Sequence, residues 1–329
     1  MTIVGTGELI FEPITGWADD APITEAVGVA VDSRDRIHVF NRTDNPDEPQ
    51  IIVLDADGNV LDTWGTGAVT RPHGIWIAPD DSVYLTDDLG HGVRQFAADG
   101  SHLRDIGPSG VASETGANGF DHRPITQAAG PYNLPTNTVT AADGSLFVTD
   151  GYGNAAVHKF DSDGNLLKTW GAPGSGPGEF IVPHGLGIDR DQRLYVADRE
   201  NSRVQIFDTD GAFITEWTDV IRPCEVFVGA DDLVYIAELG TWAGLFPWME
   251  RTAHSGVGRL SIFDREGNLQ ARWGGGQDPL APDGFYTPHD VWLDSAGNIY
   301  LGEVCKTAAM MAGEDGTALP SIRKYAKIS

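Results

Sequence analysis

Cysteine is almost missing from this chain. Cys224 and Cys305 are the only two in 329 residues, too few for a disulfide framework, and free thiols fit a reducing compartment. Basic residues are scarce as well. Twenty-two Lys and Arg stand against 48 Asp and Glu, a formal net charge of −26, which argues against nucleic acid and anionic membrane surfaces as partners. No apolar run is long enough to span a bilayer. The N-terminus lacks the basic start and small-residue cleavage site of a secretory signal, so the expected location is the cytoplasm. Nothing in the pattern calls for an obligate protein partner.

What the chain does have is repetition, which sets the fold. Segments such as "GIWIAPDDSVYLTDDLGHGVRQFAADGSHLRDIG" and "GLGIDRDQRLYVADRENSRVQIFDTDGAFITEWT" share one layout of short apolar runs broken by Asp-Gly turns. That is the signal of strands joined by hairpins. Turns recur at one register in Ala56-Asp57-Gly58, Ser162-Asp163-Gly164 and Thr209-Asp210-Gly211, and they account for much of the acidity. Four strands per unit and six units predict an all-β, six-bladed β-propeller. The units begin near residues 27, 73, 136, 184, 224 and 289, and 1–329 forms a single domain. The last unit is one outer strand short, and the N-terminal "GELIFEP" is expected to supply it and close the ring. Three insertions interrupt the pattern, at about 108–133, 240–257 and 304–320. The middle one, rich in Trp and Phe, either roofs a small apolar pocket or packs on itself as an Ω-loop.

Register then sorts the polar residues. The first-strand position of the six units holds Val27, His73, Thr136, His184, Cys224 and His289. Each of the three histidines follows a proline, and they lie about a third of the chain apart. In a ring they point at the axis, where three neutral imidazoles make an open zinc site with a position left for water or substrate. The competing reading is a strand-entry habit, with the imidazoles satisfied by backbone. Cys224 shares the register and reads as a small buried filler, with an extra metal ligand or a reactive thiol as the alternatives. At the end of the second strand, Arg42 and Arg199 occupy one register, with Asp88 and Gly151 in the units between. Two guanidiniums suit a substrate carboxylate; the alternative is pairing with the acidic rim. Tyr152, one residue beyond that register, is placed to act as general base or acid, or is a rim aromatic in a turn. His122 and Arg123 in the first insertion either reach into the pocket or are solvated loop residues, the simpler reading.

"FVTDGYGNAAVHKF", followed by "GEFIVPHGLGIDRDQRLYVADRENSRVQIF", resembles the NHL-repeat catalytic core of peptidyl-α-hydroxyglycine α-amidating lyases. "RPHGIWIAPDDSVYLTD", "TPHDVWLDSAGNIYLGE" and "VFNR" match as well. The resemblance implies a propeller with catalytic Zn2+ on His73, His184 and His289. Tyr152 would be the base and Arg42 and Arg199 would assist. A structural Ca2+ would be held by Asp290 and backbone carbonyls near Val27, Val29 and Ile75. It also implies cleavage of the C–N bond of R-CO-NH-CH(OH)-COO⁻ to an amide and glyoxylate. The chain departs from the family pattern at Gly153, where a disulfide cysteine stands in the animal enzymes, at Thr287, where a methionine does, and at Glu303, where an aspartate does.

The expected function is therefore a zinc-dependent lyase, or hydrolase, acting on a small carbinolamide or carbinolamine that carries a hydroxyl and an acidic group. A calcium-type lactonase or sugar-acid hydrolase is one alternative, although such sites use oxygen donors where this chain has histidine. A non-catalytic NHL interaction module is the other, and strong acidity with inward histidines counts against it. Fold alone does not choose among them.

Overall fold

A computed structural model describes residues 2–240, 258–276 and 278–328. The insertion expected at 240–257 lies outside the described residues apart from Gly240. By packing, the chain falls into two compact units, one of residues 1–66 with 224–329 and the other of residues 67–223.

The unit of residues 67–223 holds three four-stranded antiparallel sheets, whose first strands are Pro72–Ile77, Pro135–Thr140 and Pro183–Ile188. The other unit holds two more four-stranded sheets, starting at Ala26–Val31 and Pro223–Val228. Its third sheet runs Pro288–Leu293, Ile299–Glu303, Ile322–Lys327, Leu9–Ile14 and Val4–Thr6. Six such sheets, each opening one residue before a predicted unit start, are the blades of a six-bladed β-propeller. The N-terminus completes the last blade as expected, and adds a short fifth strand that was not. Leu9–Ile14 pairs antiparallel with Ile322–Lys327, with Phe11 opposite Lys327.

Side-chain pattern decides which strand lies where. First and second strands such as Ala26–Val31 (AVGVAV) and Leu194–Asp198 (LYVAD) are buried along their whole length. Outer strands such as Val60–Trp64 (VLDTW) and Phe213–Trp217 (FITEW) are mostly exposed. The hairpin between third and fourth strands repeats one device. Asp55 Oδ1 accepts the backbone N–H of Asp57 at 2.9 Å and of Asn59 at 2.8 Å. Gly58 takes the left-handed φ of 89° that the turn demands. Asp161, Asp208 and Asp264 build the same turn, and Asp294 repeats it between the first and second strands of its sheet. The insertion at 304–320 differs from a plain loop, since it carries the only α-helix among the described residues, Cys305–Ala312.

Phe11 is fully buried and packs its ring 5.5 Å from that of Trp273. Losing a core Phe costs about 3–5 kcal/mol, and losing its strand also bares the edge of Ile322–Lys327. A chain lacking residues 1–12 should melt at a markedly lower temperature and self-associate on sizing columns. Full stability and a monomeric profile would show that this strand is dispensable.

Candidate functional site

Each first strand begins with an irregularity that aims its second residue. Pro72 lies opposite Asp87, and regular pairing resumes only at Ile75 opposite Leu85. Pro183 opposite Asp198 and Pro288 opposite Glu303 repeat the shift. A bulge of this kind re-aims a side chain, and His73, His184 and His289 sit within these three. All are buried.

Hydrogen bonding fixes the tautomers of His73 and His289. His73 Nδ1 lies 2.7 Å from the carbonyl oxygen of Thr136, and His289 Nδ1 lies 2.7 Å from that of Val27. A carbonyl only accepts, so Nδ1 carries the proton and Nε2 presents its lone pair. Thr136 and Val27 occupy the histidine register of their own sheets.

Within residues 67–223 the site gathers around Tyr152. Its hydroxyl lies 3.1 Å from His73 Nε2 and 3.0 Å from His184 Nε2, and the two imidazole centroids are 4.8 Å apart. A phenol has one proton to give, so it satisfies one of these lone pairs at a time. Arg199 Nη1 donates to the same hydroxyl at 3.4 Å, and its guanidinium lies 5.2 Å from the Tyr152 ring centroid. Phe120, from the first insertion, meets that ring edge-on at 5.2 Å, with Arg71 stacked 5.1 Å from the Phe120 centroid. Arg71 is ion-paired with Asp88. Gly151 has no room for a side chain, because a Cβ would come within 1.9 Å of the Pro183 carbonyl oxygen.

The two arginines of the second register are both paired. Arg199 Nε donates to Glu200 at 2.8 Å, and Glu200 also accepts from Arg222 Nη2 at 2.8 Å. Arg42, in the other unit, contacts Glu25 at 3.3 Å and Thr307 Oγ1 at 3.4 Å. In the same unit Asp290 accepts the backbone N–H groups of Val29 at 3.0 Å and Val291 at 2.7 Å, and burial pushes its carboxyl up to about 8. Cys224 is fully buried. Arg123 is exposed and bonded to Asp121, while His122 is half-buried, its pKa lowered by that burial.

One residue before the second register, each second strand ends in a side chain that carries an oxygen acceptor, an acid in five sheets and an amide in one. Asn41, Asp87, Asp150, Asp198, Glu238 and Glu303 are all fully buried. Five of them accept backbone N–H groups from the segment leading into their own first strand. Asp87 takes those of Thr70 and Arg71 at 2.7 and 3.0 Å, Asp198 that of Ile181 at 2.8 Å, and Glu303 those of Tyr286 and Thr287 at 2.8 and 2.9 Å. Asn41 and Asp150 do the same for Thr24, Glu25 and Asn133. The acid that precedes the second register in five units, replaced by Asn41 in the first, was the signal available in the sequence.

Among the described residues, His73 and His184 in the unit of residues 67–223 and His289 in the other each offer an imidazole nitrogen that could bind a metal ion. Three imidazoles, two with Nε2 bared by a carbonyl on Nδ1, suit zinc better than calcium. No described helix is long and apolar enough to cross a membrane.

Glu200 sets a pH dependence. Burial raises its carboxyl, but Arg199 and Arg222 more than offset this and hold it down to about 2, against an ordinary 4.5. A folded value below the unfolded one means stability that is complete above pH 4.5 and lost as pH falls toward 2. Glu200→Gln should flatten that acid limb in melts at stepped pH. It should also cost about 3–5 kcal/mol at neutral pH, because two buried guanidiniums lose their partner. An unchanged acid limb would mean that the triad is not ionised as drawn.

Residues 135–232 match the family model DUF5128, described as a 6-bladed beta-propeller. Peptidyl-alpha-hydroxyglycine alpha-amidating lyase 1 of Drosophila melanogaster is 29% identical over 280 residues, covering 78% of this chain and 47% of its own length. Peptidylglycine alpha-amidating monooxygenase of Rattus norvegicus is 31% identical over 56% of this chain and 20% of its own. NHL repeat-containing protein 3 of Homo sapiens is 31% identical over 58% and 54%. The chain thus spans about half, or less, of the length of these curated relatives. Two solved structures share the fold at low identity. A streptogramin B lyase superposes with a TM-score of 0.58 at 12% identity, covering 96% of each chain. A gluconolactonase of Xanthomonas campestris gives 0.53 at 15%, covering 99% of this chain and 86% of its own. The chain is a six-bladed β-propeller of NHL type, similar over half or more of its length to peptidyl-α-hydroxyglycine α-amidating lyases and to an NHL repeat-containing protein.

Proposed function

We propose that the protein is a zinc-dependent lyase that breaks the C–N bond of a small carbinolamide or carbinolamine bearing a hydroxyl and an acidic group. The observation that carries this reading is the Tyr152 hydroxyl set 3.1 and 3.0 Å from the Nε2 atoms of His73 and His184, with Arg199 beside it. Relatives named as amidating lyases support the reaction class. Zinc on His73, His184 and His289 would supply Lewis acidity toward the substrate hydroxyl.

The chain's own residues do the rest. Arg199 stabilises the Tyr152 phenolate, which takes the hydroxyl proton and so becomes the neutral phenol. As the carbinol C–O becomes C=O, the C–N bond breaks, and Tyr152 returns the proton to the departing nitrogen. The products are an amide, or amine, and an α-oxo acid; water attack at the same site would give the hydrolytic variant. Arg42 and Arg199 receive the substrate's carboxylate, each already steadied by a carboxylate of its own. Asp290, a buried carboxyl with two backbone donors, would in its ionised form help hold a structural calcium. No nucleic acid, membrane or obligate protein partner enters this proposal.

Purified protein should contain about one zinc per chain by elemental analysis, and alanine at His73, His184 or His289 should remove most of it while circular dichroism stays unchanged. Tyr152→Phe should keep the metal and lower kcat on α-hydroxyhippurate by about 10²–10⁴-fold, with a smaller change in KM. Glyoxylate release reports the reaction, beside a panel of lactones. Lactone hydrolysis without C–N cleavage would replace the lyase reading, and a fully active Tyr152→Phe would remove that residue from it.

A further inference from the structure

A cavity of about 320 Å3 lies in the unit of residues 67–223, lined mainly by Ile125, Ala155, Phe180, Ile181 and Val182, with His122 at its wall. Three of its lining segments adjoin residues of the site along the chain. Ile181 and Val182 lead directly into Pro183 and His184. Asn154 and Ala155 follow two and three residues after Tyr152. His122 is two residues beyond Phe120, whose ring packs on Tyr152, and it lies within electrostatic reach of Glu200 and Arg199.

The wall is uncharged in effect. Arg123 at its rim is bonded to Asp121 at 2.6 and 2.8 Å. Asn154 spends its amide on Ala129 at 2.6 Å and Asp150 at 2.8 Å. Desolvation favours the neutral form of His122. Phe180 is fully buried and Val182 nearly so, so the floor is rigid and apolar. An engineered apolar cavity of roughly 150 Å3 holds one benzene, so this space takes a phenyl ring or a branched aliphatic group.

We infer that this cavity is the subsite for the group on the far side of the scissile bond, and that the preferred substrates are N-acyl compounds with a compact aromatic or branched apolar acyl group. The inference rests on the lyase reading for the reacting end of the substrate. The first insertion, through His122 and Ile125, then sets specificity without entering the chemistry.

The test uses unreactive ligands, so it does not depend on turnover. N-Benzoylglycine and N-acetylglycine are titrated calorimetrically into the metal-loaded protein. Burying the ring should make the benzoyl ligand about 10- to 100-fold tighter. Ile181→Trp, which fills the cavity, should abolish that preference with zinc content unchanged. If that variant fails to fold, Ile181→Ala should instead shift the preference toward a naphthoyl ligand. Equal affinity for the two ligands, failure of both to bind, or a preference untouched by either variant overturns the subsite. A preference lost in Ile181→Trp, with no C–N cleavage of the hydroxylated compounds, leaves the subsite standing and sinks the lyase reading alone.

Discussion

The structure turns on one buried interaction, repeated around the chain: a side-chain oxygen at the end of the second strand binds the backbone N–H groups that precede the first. Hydrogen bonds to an ionised acceptor contribute about 1.5–3 kcal/mol each, and a buried carboxylate left without them is costly. Asp198 is therefore saturated, taking Ile181 N–H, Asn201, Arg203 and Gln205 at 2.7–3.1 Å. Asp150 takes Asn133 N–H, Asn154 and His158. Because the segment so held runs into the residue before the register position, the same contact sets where five of the six first strands start. The histidines inherit their positions from it.

That hold is strong enough to override local preference. The residue before a proline favours extended backbone, yet Val182 before Pro183 has φ of 60° and Leu134 before Pro135 has 57°. Each is retained by a backbone bond from the second register, Arg199 N–H to the Val182 carbonyl at 3.2 Å and Tyr152 N–H to the Leu134 carbonyl at 3.4 Å. The residues proposed for chemistry therefore also brace the entry of the strands beside them. Arg199 binds the turn before His184 through its backbone and Tyr152 through its side chain. Substitutions there report on the chemistry cleanly only if the backbone contact survives, which is why Tyr152→Phe is a better probe than a deletion.

Periodicity made the blades legible in the sequence, along with the strand starts and the use of the N-terminus to finish the last sheet, since each is a repeated local pattern. The capping acids were not separated from the turn acids. Asp198 and Asp208 look alike in composition, but the first is fully buried and the second closes an exposed hairpin. Long-range partners were equally hidden: nothing near Arg42 in sequence points to Glu25 or to Thr307 in a helix that interrupts the repeat. Gly153 now has a physical reason. A Cβ there would meet Asn133 Oδ1 at 2.2 Å, so the end of the first insertion occupies the space that a cysteine side chain would need.

The alternation of histidine with other residues in the register follows from the same geometry. His73 is fixed through the carbonyl of Thr136, and His289 through that of Val27. The intervening positions act through backbone, which any side chain provides, so Thr and Val serve equally well. Thr136 does one thing more, since its hydroxyl donates to the Pro183 carbonyl at 3.0 Å, and Thr149 donates to that of His184 at 2.7 Å. His184 thus stands on a strand whose own carbonyls are held from the neighbouring sheet. The His73 imidazole, anchored at Nδ1 on the Thr136 carbonyl, is held facing the Tyr152 hydroxyl. Pre-organisation of that kind lets a weak acid such as a phenol act on a bound hydroxyl without first paying to be oriented.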